Sequence, residues 1–165
     1  KGASEIKMGR LKNGQRYIAT IEPWHGFQVV IYTEPGKPAA KGSPAPEAVT
    51  DESAEPKLWT RTVIAQPVQW GHAVWTADMD GDGDDELIIG QRDRNREGTP
   101  AGPGVYLFDP VPEGSNLIFH RQVFEDGGVA VEDALVADLN GDGRPDIAAG
   151  GRATHNVRIY WNLGR

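Results

Sequence analysis

Short apolar blocks alternate along most of the chain with turns rich in Gly, Asp and Pro, and the blocks have the length and composition of β-strands. "HAVWTAD" runs into an acidic turn, "ELIIG" leads out of it, and "GVYLFD" follows after a further turn. The succession returns as "VEDALVAD", "DIAAG" and "VRIYW", while "KLWTRTVIA" at 57–65 and "LIFHRQVF" at 117–124 read as fourth strands. The unbroken triplet Leu87-Ile88-Ile89 predicts a strand covered on both faces, not one in a sheet with a wet side.

The pattern is a repeat. "ADMDGDGDDELIIGQR" at 77–92 reappears as "ADLNGDGRPDIAAGGR" at 137–152, an offset of 60 residues. A third, eroded copy, "GRLKNGQRYIATIE" at 9–22, sets Tyr17-Ile18-Ala19 where Asp146-Ile147-Ala148 stands later and lacks one residue of the turn. Four strands per repeat, with faces packed on neighbours, predict an all-β fold of β-propeller blades. The expected blades span about 1–66, 67–126 and 127–165, the last incomplete. The Pro-, Ala-, Glu- and Ser-rich stretch 34–57 is expected as a mobile surface insertion in the first blade, and 92–104 as a shorter loop. A ring typically takes about four to eight blades. We therefore expect a partial propeller, completed by further blades or by other chains of an oligomer.

Composition narrows the partners. With 165 residues, 38% hydrophobic and 25% charged, the chain suits one soluble globular domain. A formal charge of −7 with no Lys/Arg stripe argues against nucleic acid. The absence of cysteine excludes disulfides, thiolate zinc sites and cysteine nucleophiles. No apolar run approaches the length of a membrane span, so no membrane insertion is expected. No signal pattern opens this chain, so either the protein is cytoplasmic or a signal has been removed; the expected location is extracellular or periplasmic.

The acidic turn carries the clearest chemistry. Counting from Asp78, carboxylates fall at positions 1, 3, 5 and 9 as Asp78, Asp80, Asp82 and Glu86, with the Asp84 carbonyl at position 7. Alternate residues of a tight turn can converge their oxygens, and Gly83 at position 6 permits backbone angles that side chains disfavour. Oxygen-only ligation selects a hard cation, calcium first. The second turn offers Asp138, Asn140, Asp142, the Arg144 carbonyl and Asp146, a less acidic set that predicts weaker binding. Position 12 holds Ile89 or Ala149 instead of glutamate, and strands flank the loops, which rejects an EF-hand. In the eroded copy, Asn13-Gly14 makes a tight turn without an ion, so the metal's expected job is structural. A solvated polar turn is the alternative.

These loops, each followed by an apolar strand, resemble the FG-GAP or VCBS repeats of calcium-binding propellers. That resemblance implies the fold and two calcium ions; it leaves function open among adhesion, sugar binding and catalysis. "GRATHNVRIYWN" at 151–162, with "VEDALVADLNGDGRPDIAA", is similar to propeller segments of the aldos-2-ulose dehydratase and anhydrofructose dehydratase group, lyases that remove water from keto sugars.

Strand direction predicts a second constellation at the end away from the ions. His72 and Glu132 each stand six residues before the first loop aspartate, while Arg92, Arg152 and Glu22 follow the second strands. His25 and His155 align in the next turn, and Trp24 and Trp70 lie nearby in sequence. A neutral histidine could take a proton alpha to a ketone, an arginine could stabilise the enolate, and a glutamate or second histidine could protonate the leaving hydroxyl. The same His/Glu set could instead hold zinc or another divalent ion. The expected partner is a carbohydrate, as substrate or as bound glycan. Rim histidines packed on tryptophan and arginines paired with carboxylates are the plainer reading, and His120 is expected to be structural.

Overall fold

The computed structural model describes residues 2–24, 26–35, 58–97, 102–113 and 116–164. Among them are eleven strands and no helix: β1 (Ile6–Arg10), β2 (Arg16–Glu22), β3 (Gln28–Thr33), β4 (Thr60–Ala65), β5 (Gly71–Ala77), β6 (Glu86–Gln91), β7 (Gly104–Glu113), β8 (Asn116–Asp126), β9 (Val131–Ala137), β10 (Asp146–Gly151) and β11 (Asn156–Tyr160). They form three antiparallel meanders, β1-β2-β3-β4, β5-β6-β7-β8 and β9-β10-β11. Most of the insertion expected at 34–57 lies outside the described residues, as do 98–101 of the shorter loop.

The middle sheet is covered on both faces because its strands are apolar at consecutive positions. Val74, Leu87, Ile89, Tyr106 and Phe108 join Tyr17, Ala19, Ile21, Val29 and Ile31 of the first sheet. Ala73, Ile88 and Val105 on the opposite face join Val131, Val136, Ile147 and Ala149 of the third. All six residues of β6 are buried, as the Leu87-Ile88-Ile89 triplet predicts. Full burial of each such aliphatic side chain contributes about 1.5–3 kcal/mol. The second and third sheets meet closely at Gly90, where a Cβ would stand 2.4 Å from the Val131 side chain.

The packing is head to tail. Sheet one presents the odd-numbered residues of β2 to sheet two; sheet two presents the face bearing Ile88 to the face of sheet three bearing Ile147. Copies related by the sequence repeat therefore use equivalent faces in the same direction. The face of sheet three pointing away from this stack is apolar, with Leu135, Val157 and Ile159 exposed. On the first sheet Ile6 and Met8 are likewise exposed. First strands lie beside one another, β1 against β5 and β5 against β9. The Thr76 hydroxyl donates to the Met8 carbonyl at 3.0 Å, and the Lys7 ammonium sits 4.6 Å from the centre of the Trp75 ring. No helix among the described residues is long and apolar enough to cross a membrane.

Candidate functional site

The two acidic loops share one hydrogen-bond skeleton, which follows from the alternation of Asp or Asn with Gly. In the first, the amides of Gly81 and Gly83 donate to Asp78 at 2.7 and 3.0 Å, Asp82 to Asp80 at 3.1 Å, and Asp84 to Asp82 at 2.8 Å. In the second, Gly141 and Gly143 donate to Asp138 at 2.7 and 2.8 Å, Asp142 to Asn140 at 2.9 Å, and Arg144 to Asp142 at 3.0 Å. Gly83 and Gly143 take φ of 92° and 85°, in the left-handed region that glycine tolerates best. The amides hold the Asp138 carboxyl below the usual range, Gly143 first. In the eroded turn the Gln15 amide donates to the Asn13 side chain at 2.8 Å, and Gly14 has φ 83°.

The last acid of each loop sets them apart. The Met79 amide donates to Glu86 Oε2 at 2.6 Å, while Glu86 Oε1 is buried without a partner, in a residue only 2% exposed. Burial drives the Glu86 carboxyl up to about 8; the Met79 amide opposes this, and Asp80, Asp109 and Asp78 add to it. Ligand atoms of Asp78, Asp80 and Glu86 lie within 4.8 Å of one another. A buried carboxylate oxygen beside two more carboxylates is a donor set suited to a hard cation. In the second loop both Asp146 oxygens are occupied, by the amides of Leu139 at 3.0 Å and Asn162 at 2.8 Å. The Arg144 guanidinium also holds Asp142 at 2.5 Å.

Neighbouring sheets clasp the loops through residues whose roles the sequence does not signal. Lys12 donates its amide to Asp84 at 2.8 Å and brings its ammonium within 3.4 Å of the same carboxylate. The Asp84 side chain is thereby engaged, leaving its carbonyl for the expected ligand role. Arg10 donates its amide to Asp85 at 2.8 Å, and the Tyr17 hydroxyl donates to the Asp85 carbonyl at 2.7 Å. Asn162 reaches from beyond β11 to the Met79 carbonyl at 2.6 Å, tying the third sheet to the first loop.

At the opposite strand ends, the structure gathers part of the predicted rim. His72 Nδ1 lies 3.2 Å from the Glu132 carbonyl, and Arg92 Nη1 lies 3.2 Å from His72 Nε2. A guanidinium can only donate, so Nε2 is the acceptor and Nδ1 carries the proton in this arrangement. Arg92 also pairs with Asp93 at 2.8 Å, and Arg152 approaches Glu132 Oε1 at 3.7 Å. Glu132 Oε2 is buried without a partner. Glu132, Arg152 and His155 line one cleft of about 460 Å³. His155 takes φ 50° in the turn before β11, a conformation that costs a non-glycine residue about 1 kcal/mol.

Glu22 has different company. Its carboxylate accepts from Thr20, Tyr32 and Arg61, at 3.0, 2.7 and 2.7 Å, and these bonds hold its pKa below the ordinary value against the opposing effect of burial. Arg61, 39 positions away, is a partner that the repeat does not indicate. His25 lies outside the described residues. Trp24 is exposed, and His120 is exposed on β8. No protein-family model matches the chain. No curated protein matches it either.

Proposed function

We propose that the chain is part of a calcium-stabilised β-propeller whose rim acts as a carbon–oxygen lyase on a keto sugar. The observation supporting the ion is the bare, buried Glu86 Oε1 beside Asp78 and Asp80. The second loop, with Asp138, Asn140, Asp142 and Asp146, is the weaker of two calcium sites. The head-to-tail packing and adjacent first strands support the propeller reading, in which further sheets from this protein or its oligomeric partners cover the outer faces.

For the rim, the supporting observation is the meeting of His72, Arg92, Glu132, Arg152 and His155 at one end of two sheets. While Arg92 occupies His72 Nε2, His72 orients that guanidinium, and Glu132 Oε2 is the carboxylate oxygen left without a hydrogen-bond partner. In this reading Glu132 removes the proton alpha to the ketone, the arginines stabilise the enolate oxygen, and His155 protonates the departing hydroxyl. One C–H and one C–O bond break, a C=C bond forms, and water leaves. A zinc or other divalent ion held by the His/Glu groups would instead polarise the carbonyl.

Glu132→Gln and His155→Ala should each lower turnover of a keto-sugar panel by about 100-fold or more, read as enone absorbance, with folding preserved by circular dichroism. Unchanged turnover in both variants would eliminate the lyase. Non-catalytic glycan binding is the second reading, favoured by the pairing of Arg92 with Asp93 and Arg152 with Glu132. It predicts glycan retention with no chemical change in the sugar.

A further inference from the structure

A second cavity, of about 470 Å³, lies between the middle and third sheets at the loop end, away from the histidine rim. Its polar wall carries Asp80, Glu86, Asp109 and Gln122; Phe124 and Trp161 supply aromatic surface. The volume falls within the range of small-molecule sites, about 300–1,000 Å³. Among the described residues no Lys or Arg lines it, which disfavours an anionic ligand. Trp161 is half exposed, and Phe124 meets Tyr160 edge-on with ring centres 6.2 Å apart.

Two of these lining residues, Asp80 and Glu86, also belong to the cation-ligating group. Glu86 is 2% exposed and its Oε1 has no partner, so the cavity wall holds a buried polar atom that demands one. An ion placed there offsets the carboxylate charge and leaves a surface of hydrogen-bonding groups, aromatic rings and a hard cation. Sugars match that combination: their hydroxyls are hard oxygen donors, and their C–H faces stack on aromatic rings. We propose that this cavity is a calcium-dependent saccharide site, with Trp161 as the stacking surface and Gln122 and Asp109 bonding hydroxyls. The proposal rests on the calcium reading of the first loop and is independent of catalysis at the rim.

The test has two stages on the full chain. Calorimetry first measures calcium binding; a glycan array and titrations with methyl mannoside and methyl galactoside then follow, each with calcium or with chelator. Saccharide binding is expected only with calcium, and Trp161→Ala should weaken it at least about tenfold while leaving calcium affinity unchanged. Gln122→Ala should weaken it about three- to tenfold. Calcium binding with a silent array would overturn the saccharide site alone, as would sugar binding that survives chelator or Trp161→Ala. Preference for choline over every sugar would also overturn it and assign the cavity to cations. A flat calcium titration would overturn both this site and the ion reading beneath it.

Discussion

The loops at 78–86 and 138–146 have the same internal bonds and different unmet needs. Each is organised by amides donating to alternate Asp or Asn side chains. In the second the acids are met: Asp146 receives two amides, one of them from Asn162 beyond β11, and Asp142 a guanidinium. The first ends on Glu86, which receives one amide and keeps a buried oxygen bare. Bonds within each loop therefore set its shape, whereas the demand for an ion is concentrated at Glu86. The longer side chain and its buried setting create that demand.

Replacing Glu86 is the strongest way to break the comparison. Glu86→Gln should abolish the tighter calcium step in calorimetry. It should also remove the thermal gain that calcium gives, about 2.7 kcal/mol at a hundredfold excess over Kd, or about 5–10 °C. An Asp146→Asn variant with the larger calcium defect would reverse the assignment of strong and weak sites.

Without metal the order should invert. Asp146→Ala leaves the Leu139 and Asn162 amides without their acceptor and should cost about 1–3 kcal/mol in urea denaturation under chelator. Glu86→Gln under the same conditions should be neutral or stabilising, because it replaces a buried carboxyl, whose charged form burial, Asp80 and Asp78 disfavour, with a neutral amide. Equal losses in the two variants would show that the loops have equivalent needs.

Acidity sharpens the point. The folded Glu86 carboxyl, near 8 against an ordinary 4.5, keeps a proton that the unfolded chain releases. Metal-free stability from this group is full below about 4.5 and is lost as pH rises to about 8. Calcium affinity should rise over the same interval, because the ion competes with that proton. Glu86→Gln should flatten both profiles; profiles unchanged by the substitution would place the titration elsewhere. The smallest effect is expected at Lys12: Lys12→Met should tighten calcium binding about twofold by removing an exposed competing cation.

Much of the fold was legible because strand signals are local. Apolar blocks bounded by Gly and Asp mark β5, β6, β9 and β10, and the β1–β2 turn follows from Asn13-Gly14. The rim was legible only in part: strand direction places His72, Glu132 and Arg152 at one end, while the diversion of Glu22 to Arg61 depends on pairing across the first sheet. The bonds of Lys12 to Asp84 and of Asn162 to Met79 are not indicated by the repeat and arise only where neighbouring sheets meet.

The sequence alone determined the loop skeletons, since their bonds join residues two to seven positions apart and alternating Asp or Asn with Gly suffices to form them. Tertiary structure decided which oxygens remain bare. Lys12 reaches Asp84 across 72 positions and Asn162 reaches Met79 across 83. Burial of Glu86 likewise exists only once the sheets have stacked, because removing water from a carboxylate requires surfaces that no single repeat possesses.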